Sequence, residues 1–205
     1  GEAAPLPGLH HETLDALPAL LPRALEVLSR HGVRGGIGLN ALAGDPAWRA
    51  LPAQARGDIM RRATELLRDD KEAHSQVMTR EMGKVIKETR GDVQEAIDTG
   101  FYAAGESRRL WGTVAPSEMP NKMTYVTRQP MGAWGMICPW NFPMAIPSWK
   151  LFPALTCGNT AVIKPATLTP ASTGRFVDAL QKAGVPDGVV NIVYGAGAKV
   201  GEALM

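Results

Sequence analysis

Apolar residues recur at helical spacing through the first half of the chain and then give way to short β-branched runs. Leu14, Leu17, Leu21, Leu25 and Leu28 keep a helical period that stops before Gly32. This predicts an amphipathic helix and then a Gly-rich linker, GVRGGIGLNALAG, to about Gly44. From Asp45 to Leu110 the pattern remains helical, with Ile59, Ala63, Leu66 and Leu67 on one face and Val93, Ile97, Phe101 and Ala104 on another. The mixed charges of DDKEAHSQVMTREMGKVIKETRGD predict a solvated helix face, in which Gly83 and Gly91 end or kink elements.

The pattern then changes. TYVTRQPMG holds a β-like run ending at Pro130, and AWGMIC (133–138), TAVI (160–163) and VVNIVY (189–194) read as strands. A helix is predicted through about Ala145–Leu155. Another opens at Thr169-Pro170, an N-cap followed by proline at the first helical position. It carries Phe176, Val177, Leu180 and Ala183 on one face and stops at Gly184, before Pro186. Strands that alternate with helices and are apolar along their length predict an α/β fold. We expect a Rossmann-like parallel βαβαβ half-fold with right-handed crossovers, preceded by a helical N-terminal region. The division is 1–44, an N-terminal helix and linker, and 45–205, the helices and sheet.

Composition narrows the function classes. At 205 residues and 45% hydrophobic the chain can bury a sizeable core. Its 22 basic and 20 acidic residues are interspersed, so no field recruits nucleic acid or a membrane surface. A small-molecule ligand is the default. The two cysteines, Cys138 and Cys157, form no metal spacing or disulfide framework, which suggests a reducing, cytoplasmic setting. No apolar run approaches the roughly 20 residues that span a bilayer. His10, His11, His31 and His74 are scattered and read as surface residues, so no metal is expected.

In open parallel sheets, ligands bind beyond the carboxyl ends of the strands. CPWNFP, KPATLTP and GAGAKVG all fall there. Lys164 could reach a ribose hydroxyl or a phosphate, and Thr167 offers a hydroxyl. Gly195, Gly197 and Gly201 let a ligand approach the backbone. Asn141, fenced by Pro139 and Pro143, can donate to developing negative charge, although an Asn that only satisfies its own turn fits the same residues. Trp140 and Trp149 read as core residues, and Cys138 and Cys157 as small buried hydrophobes rather than nucleophiles.

Together, GAWGMICPWNFPMAIPSWKLFPALTCGNTAVIKPATLTPAS and LQKAGVPDGVVNIVYGAGAKVGEAL resemble the aldehyde dehydrogenase superfamily. DPAWRALPAQARGDIMRRATELL and TREMGKVIKE are similar to its N-terminal helices, so the resemblance runs from about Asp45 to Met205. It implies NAD(P)+-dependent oxidation of an aldehyde to a carboxylic acid through a cysteine thiohemiacetal and thioester. In that scheme Asn141 holds the oxyanion and Lys150 matches a helix lysine near the proton-relay region. Ile137, Cys138, Trp140, Lys164, Thr167, Gly197 and Gly201 would line the cofactor cleft. Thr167 stands where NAD-preferring members commonly carry a glutamate, which leaves both NAD and NADP open. The resemblance also implies a small-molecule aldehyde substrate, and either a homo-oligomer or a missing C-terminal part. The nucleophilic cysteine and the general-base glutamate are expected beyond Met205, so this chain alone should be inactive. The rival expectation is a truncated, non-catalytic dinucleotide-binding or interaction module. A related acyl-transfer or reductase enzyme is a weaker third.

Overall fold

The structure, a computed structural model, describes residues 45–204. The helix and linker expected over 1–44, with His10, His11 and His31, lie outside the described residues.

Helices come first. The Asp45 carboxylate accepts from the Trp48 backbone N–H at 2.9 Å and Pro46 takes the first position, so α1 (Pro46–Ala50) starts with a side-chain cap. Helix α2 (Ala53–Asp69) buries Ile59, Met60, Ala63 and Leu67, the face that its apolar spacing predicts. Helix α3 (Lys71–Met82) stops at Gly83, whose φ of +75° is the left-handed conformation that glycine adopts without strain. Helix α4 (Ile86–Glu106) buries Val93 and Ile97 but leaves Phe101 exposed.

Three expectations change here. Gly91 neither ends nor kinks an element but sits inside α4, where the helical pattern on both sides overrides its weak propensity. The charged stretch is not a wholly solvated face, because His74, Ser75, Met78, Thr89 and Asp92 are buried. His74 in particular is 4% exposed rather than a surface residue, because its α3 face packs on a later helix. The β-like run expected to end at Pro130 is strand β2 (Met123–Val126), which stops earlier, and its partner β1 (Thr113–Pro116) was not anticipated; the two pair antiparallel, with every residue exposed. Pro116 and a lack of apolar–polar alternation hid β1.

The second half matches the predicted alternation. Strand β3 (Ala133–Ile137), helix α5 (Ala145–Thr156), strand β4 (Thr160–Lys164), helix α6 (Pro170–Lys182) and strand β5 (Val190–Ile192) follow in order. The sheet is parallel and ordered β3-β4-β5, with Ala133 opposite Thr160 and Ala161 opposite Val190. Strand β4 is central and buried at all its positions, which is why its sequence is apolar without alternation.

A strand order that advances one way, with right-handed crossovers, puts both connecting helices on one face. Their packing agrees. Phe152 on α5 and Phe176 on α6, both fully buried, meet edge to face with ring centroids 5.1 Å apart. After β5 the chain enters a π-helical turn (Gly197–Gly201) that continues into α7 (Glu202–Leu204). A Cβ placed on Gly201 would lie 3.5 Å from Ile137 Cδ1, and one on Gly135 would lie 3.4 Å from the Leu204 carbonyl oxygen. Side chains alternate along β3, so this returning segment crosses the face opposite to buried Met136.

Candidate functional site

Three loops meet at the carboxyl end of the sheet. The Cys138 N–H donates to the Lys164 carbonyl at 3.0 Å, and the Val193 N–H to the Ile163 carbonyl at 2.9 Å, so the β3–β4–β5 register continues into the loops. The first loop, Cys138–Met144, holds Asn141. Its backbone is tied at several points: the Asn141 carbonyl accepts from Lys84 Nζ at 3.0 Å, the Pro143 carbonyl from the Thr173 hydroxyl at 2.9 Å, and the Phe142 carbonyl from the Ile146 N–H at 3.1 Å. The Asn141 side chain is exposed and makes no hydrogen bond with the described residues. It does not satisfy its own turn, so its amide can donate to something else.

The second and third loops form a cavity of about 350 Å³ lined by Pro165, Ala166, Thr167, Pro170, Tyr194 and Gly195. The Thr167 hydroxyl lies 3.4 Å from the Gly195 carbonyl, a weak contact that an incoming hydroxyl could replace. Gly195 has φ of +149°, and a Cβ there would strike Val200 at 2.6 Å. Only glycine lets the chain turn this tightly into the π-helical segment. A Cβ on Gly197 would meet nothing within 4 Å, so that backbone lies open.

The helix after β4 does not provide an anion site. Its N-terminus is already closed by the Glu81 carboxylate, reached from α3, rather than by the expected N-cap Thr169. The Thr169 hydroxyl is buried without a partner.

The other expected residues divide into two groups. Trp140 is 54% exposed and Ile137 and Trp149 are also open, so neither tryptophan is a core residue; Trp48 fills that role instead. Lys150 donates to the Ile137 carbonyl at 2.6 Å, which fixes α5 against the end of β3. Lys164 is 2% exposed, and its ammonium donates to the Pro165 carbonyl at 2.8 Å. It braces the second loop from inside instead of standing in the open cavity. Cys138 is buried, and burial pushes its thiol above the ordinary value although Lys150 and Lys164 oppose this. Cys157 lies at the other end of the sheet, its thiol also raised by burial, with Arg56 and Arg128 opposing. Neither is poised as a thiolate. Among the described residues no three His, Cys, Asp or Glu side chains converge on a metal position, and no helix is long and apolar enough to cross a membrane.

Sequence reasoning missed Lys84, Asp92, Glu81, Thr173 and Tyr194. The first four come from helices distant in sequence or from a face read as solvated; only tertiary packing brings them to the loops. Tyr194 ends the apolar run VVNIVY and was absorbed into the strand.

This arrangement is a Rossmann-like parallel half-fold preceded by helices. The family model described as aldehyde dehydrogenase family matches residues 39–205, and the chain belongs to that family. It is 43% identical over 162 residues to the alpha-ketoglutarate semialdehyde dehydrogenase of Haloferax volcanii, covering 79% of this chain and 34% of that protein. Among solved structures it is similar to an E. coli NADP dependent enzyme, with 33% identity and a TM-score of 0.77 over 91% of this chain and 36% of that one. PnpE in complex with nicotinamide adenine dinucleotide is also similar, with 35% identity and a TM-score of 0.77 over 90% of this chain and 35% of that one. The chain spans about a third of the length of the curated relative it matches.

Proposed function

We propose that the chain forms the dinucleotide-binding side and supplies the oxyanion donor of an NAD(P)+-dependent aldehyde dehydrogenase. The observation that carries this reading is the Asn141 turn: its backbone is tied to Lys84, Ile146 and Thr173 while its side-chain amide is exposed at the carboxyl end of a parallel strand. Bound at these strand ends, NAD(P)+ supplies the hydride acceptor. Thr167, Tyr194 and the open backbone at Gly197 fit its adenosine and phosphate portions, and the cavity size suits part of a dinucleotide. Trp140 and Ile137 are exposed at and just after the end of β3, beside Asn141 in the chain.

When a cysteine thiolate adds to the aldehyde carbon, the carbonyl oxygen takes up the negative charge, and the Asn141 amide donates to it. A preset donor is worth on the order of 3 kcal/mol in the barrier. Loss of hydride leaves a thioester, which water releases as the acid. Cys138 and Cys157 are raised thiols and do not supply the nucleophile in this scheme. The similarity to the alpha-ketoglutarate semialdehyde dehydrogenase of Haloferax volcanii makes a semialdehyde of an oxo acid the first candidate. The wholly exposed β1–β2 hairpin, with Val114, Met123, Tyr125 and Val126, supports assembly with further protein surface.

Cofactor choice tests the site. Thr167 places no charge against a 2′-phosphate, whereas a carboxylate there would repel one. Calorimetric titration should show saturable binding of NAD+ and NADP+, and Thr167→Glu should weaken NADP+ by on the order of tenfold relative to NAD+. Binding of neither cofactor, or equal effects on both, would overturn the reading.

A further inference from the structure

The turn that carries Asn141 is held by a charged pair from the helical region. The Asp92 side chain, on α4, has no solvent exposure. Its Oδ1 accepts from the Ala145 backbone N–H at 2.8 Å, at the start of α5, while Oδ2 is buried without a hydrogen bond and lies 3.8 Å from Lys84 Nζ. Lys84 stands between α3 and α4. Its ammonium donates to the Asn141 carbonyl at 3.0 Å and sits 4.0 Å from the centroid of the Phe142 ring.

Capping α5 needs only one oxygen of Asp92, and a neutral Asn could provide it. The second oxygen puts a buried charge where it costs free energy unless a cation compensates it. Lys84 is the cation close by, yet its short hydrogen bond goes to the Asn141 carbonyl rather than to Asp92. Attraction to the carboxylate and to the ring face confines the ammonium, and the confined ammonium fixes the peptide plane between Asn141 and Phe142.

We propose that Lys84, oriented by Asp92, is a positioning residue that sets the aim of the Asn141 amide. Its catalytic meaning rests on the assignment of Asn141 as oxyanion donor; the positioning itself does not.

The test uses the full chain in four forms: wild type, Lys84→Met, Lys84→Arg and Asp92→Asn. The Asn141 carbonyl carbon is followed by NMR, and amide hydrogen exchange is followed at Trp140–Phe142 and at the buried positions Ile163 and Leu180. Lys84→Met should move the Asn141 carbonyl upfield and speed local exchange roughly tenfold, with Ile163 and Leu180 unchanged. Lys84→Arg should restore the wild-type signal. Asp92→Asn, which keeps the cap of α5 but frees the ammonium, should shift Asn141 in the same direction by less. Wild-type Asn141 signals in Lys84→Met, loss spread equally over the core amides, or no rescue by arginine would each overturn the proposal. A parallel NAD(P)+ titration separates the two readings. An Asn141 response without dinucleotide binding supports the clamp and removes the functional assignment; binding without an Asn141 response removes the clamp alone.

Discussion

Glu81, next to last in α3, closes the N-terminus of α6: its carboxylate accepts from the Ser172 backbone N–H at 3.0 Å and from the Ser172 hydroxyl at 2.6 Å, and also from the Ala171 N–H. One side chain thus satisfies two of the free donors that every helix start leaves, places negative charge at the positive end of the helix dipole, and joins the N-terminal helices to the sheet domain. Glu81→Ala should lower stability by about 1–2 kcal/mol in urea denaturation, with Glu81→Gln losing less. An alanine variant as stable as wild type would show that α6 caps itself.

Two glycines of α4 should respond to alanine with opposite signs. Gly91 is exposed, and a Cβ there would meet nothing within 4 Å, so Gly91→Ala should stabilise by about 0.5–1 kcal/mol through helix propensity alone. At Gly100 the Cβ would fall 2.1 Å from the Thr64 hydroxyl and 2.9 Å from the Phe152 ring, so Gly100→Ala should destabilise by about 1–3 kcal/mol despite the same propensity gain. Thermal denaturation of both variants decides the matter; the same sign in both would refute the close packing of α2, α4 and α5.

Acidification should loosen the contact between α3 and α6. His74 Nδ1 accepts from Arg175 Nε at 3.3 Å, and burial, then Arg175 and Lys182, hold the imidazole below its ordinary value, with Asp70 opposing and Asp178 lining the same small cavity. The folded protein therefore takes up this proton less readily than the unfolded chain. The contribution is fully present above the unfolded value of 6.5 and is lost as pH falls below it toward the folded value. Melting midpoints from about pH 8 to about pH 5 should drop less steeply in His74→Gln than in wild type. Identical slopes would remove His74 as the cause.

The 205-residue chain by itself should not oxidise aldehydes through Cys138 or Cys157, because Cys138 is buried and Cys157 lies at the end of the sheet opposite Asn141, and burial raises both thiols. Absorbance of reduced cofactor during incubation with an aldehyde and NAD(P)+ checks this. Turnover that saturates in aldehyde and disappears in Cys138→Ala would contradict it.

Much of this architecture was legible because the sheet half is locally consistent. The apolar runs at 133–138 and 160–163, the Pro170 helix start and the Gly184 stop each carry their own signal, and all agree with a parallel sheet. The third strand was overextended: Val193 and Tyr194 lie past β5, where Val193 still bonds to Ile163 while Tyr194 turns toward the cavity. The strand-end placing of the candidate site is likewise an expectation from topology. What was not legible depends on contacts between distant segments. Asp92 and His74 look like surface residues in a charged stretch, and only packing of α4 on α5 and of α3 on α6 buries them. Lys164 shows the converse: its place at the end of β4 suggests a ligand contact, but its ammonium bends back to the next carbonyl.

The central claim is that a dinucleotide occupies the carboxyl ends of β3, β4 and β5. Mapping backbone amide shifts of the chain during titration with NAD+ or NADP+ tests it most directly. Saturable shifts should cluster at Trp140, Asn141, Ala166, Thr167, Gly195 and Gly197, with Met131, Cys157 and Asn159 at the opposite end of the sheet unmoved. No shifts with either cofactor, or shifts confined to that opposite end, would contradict it.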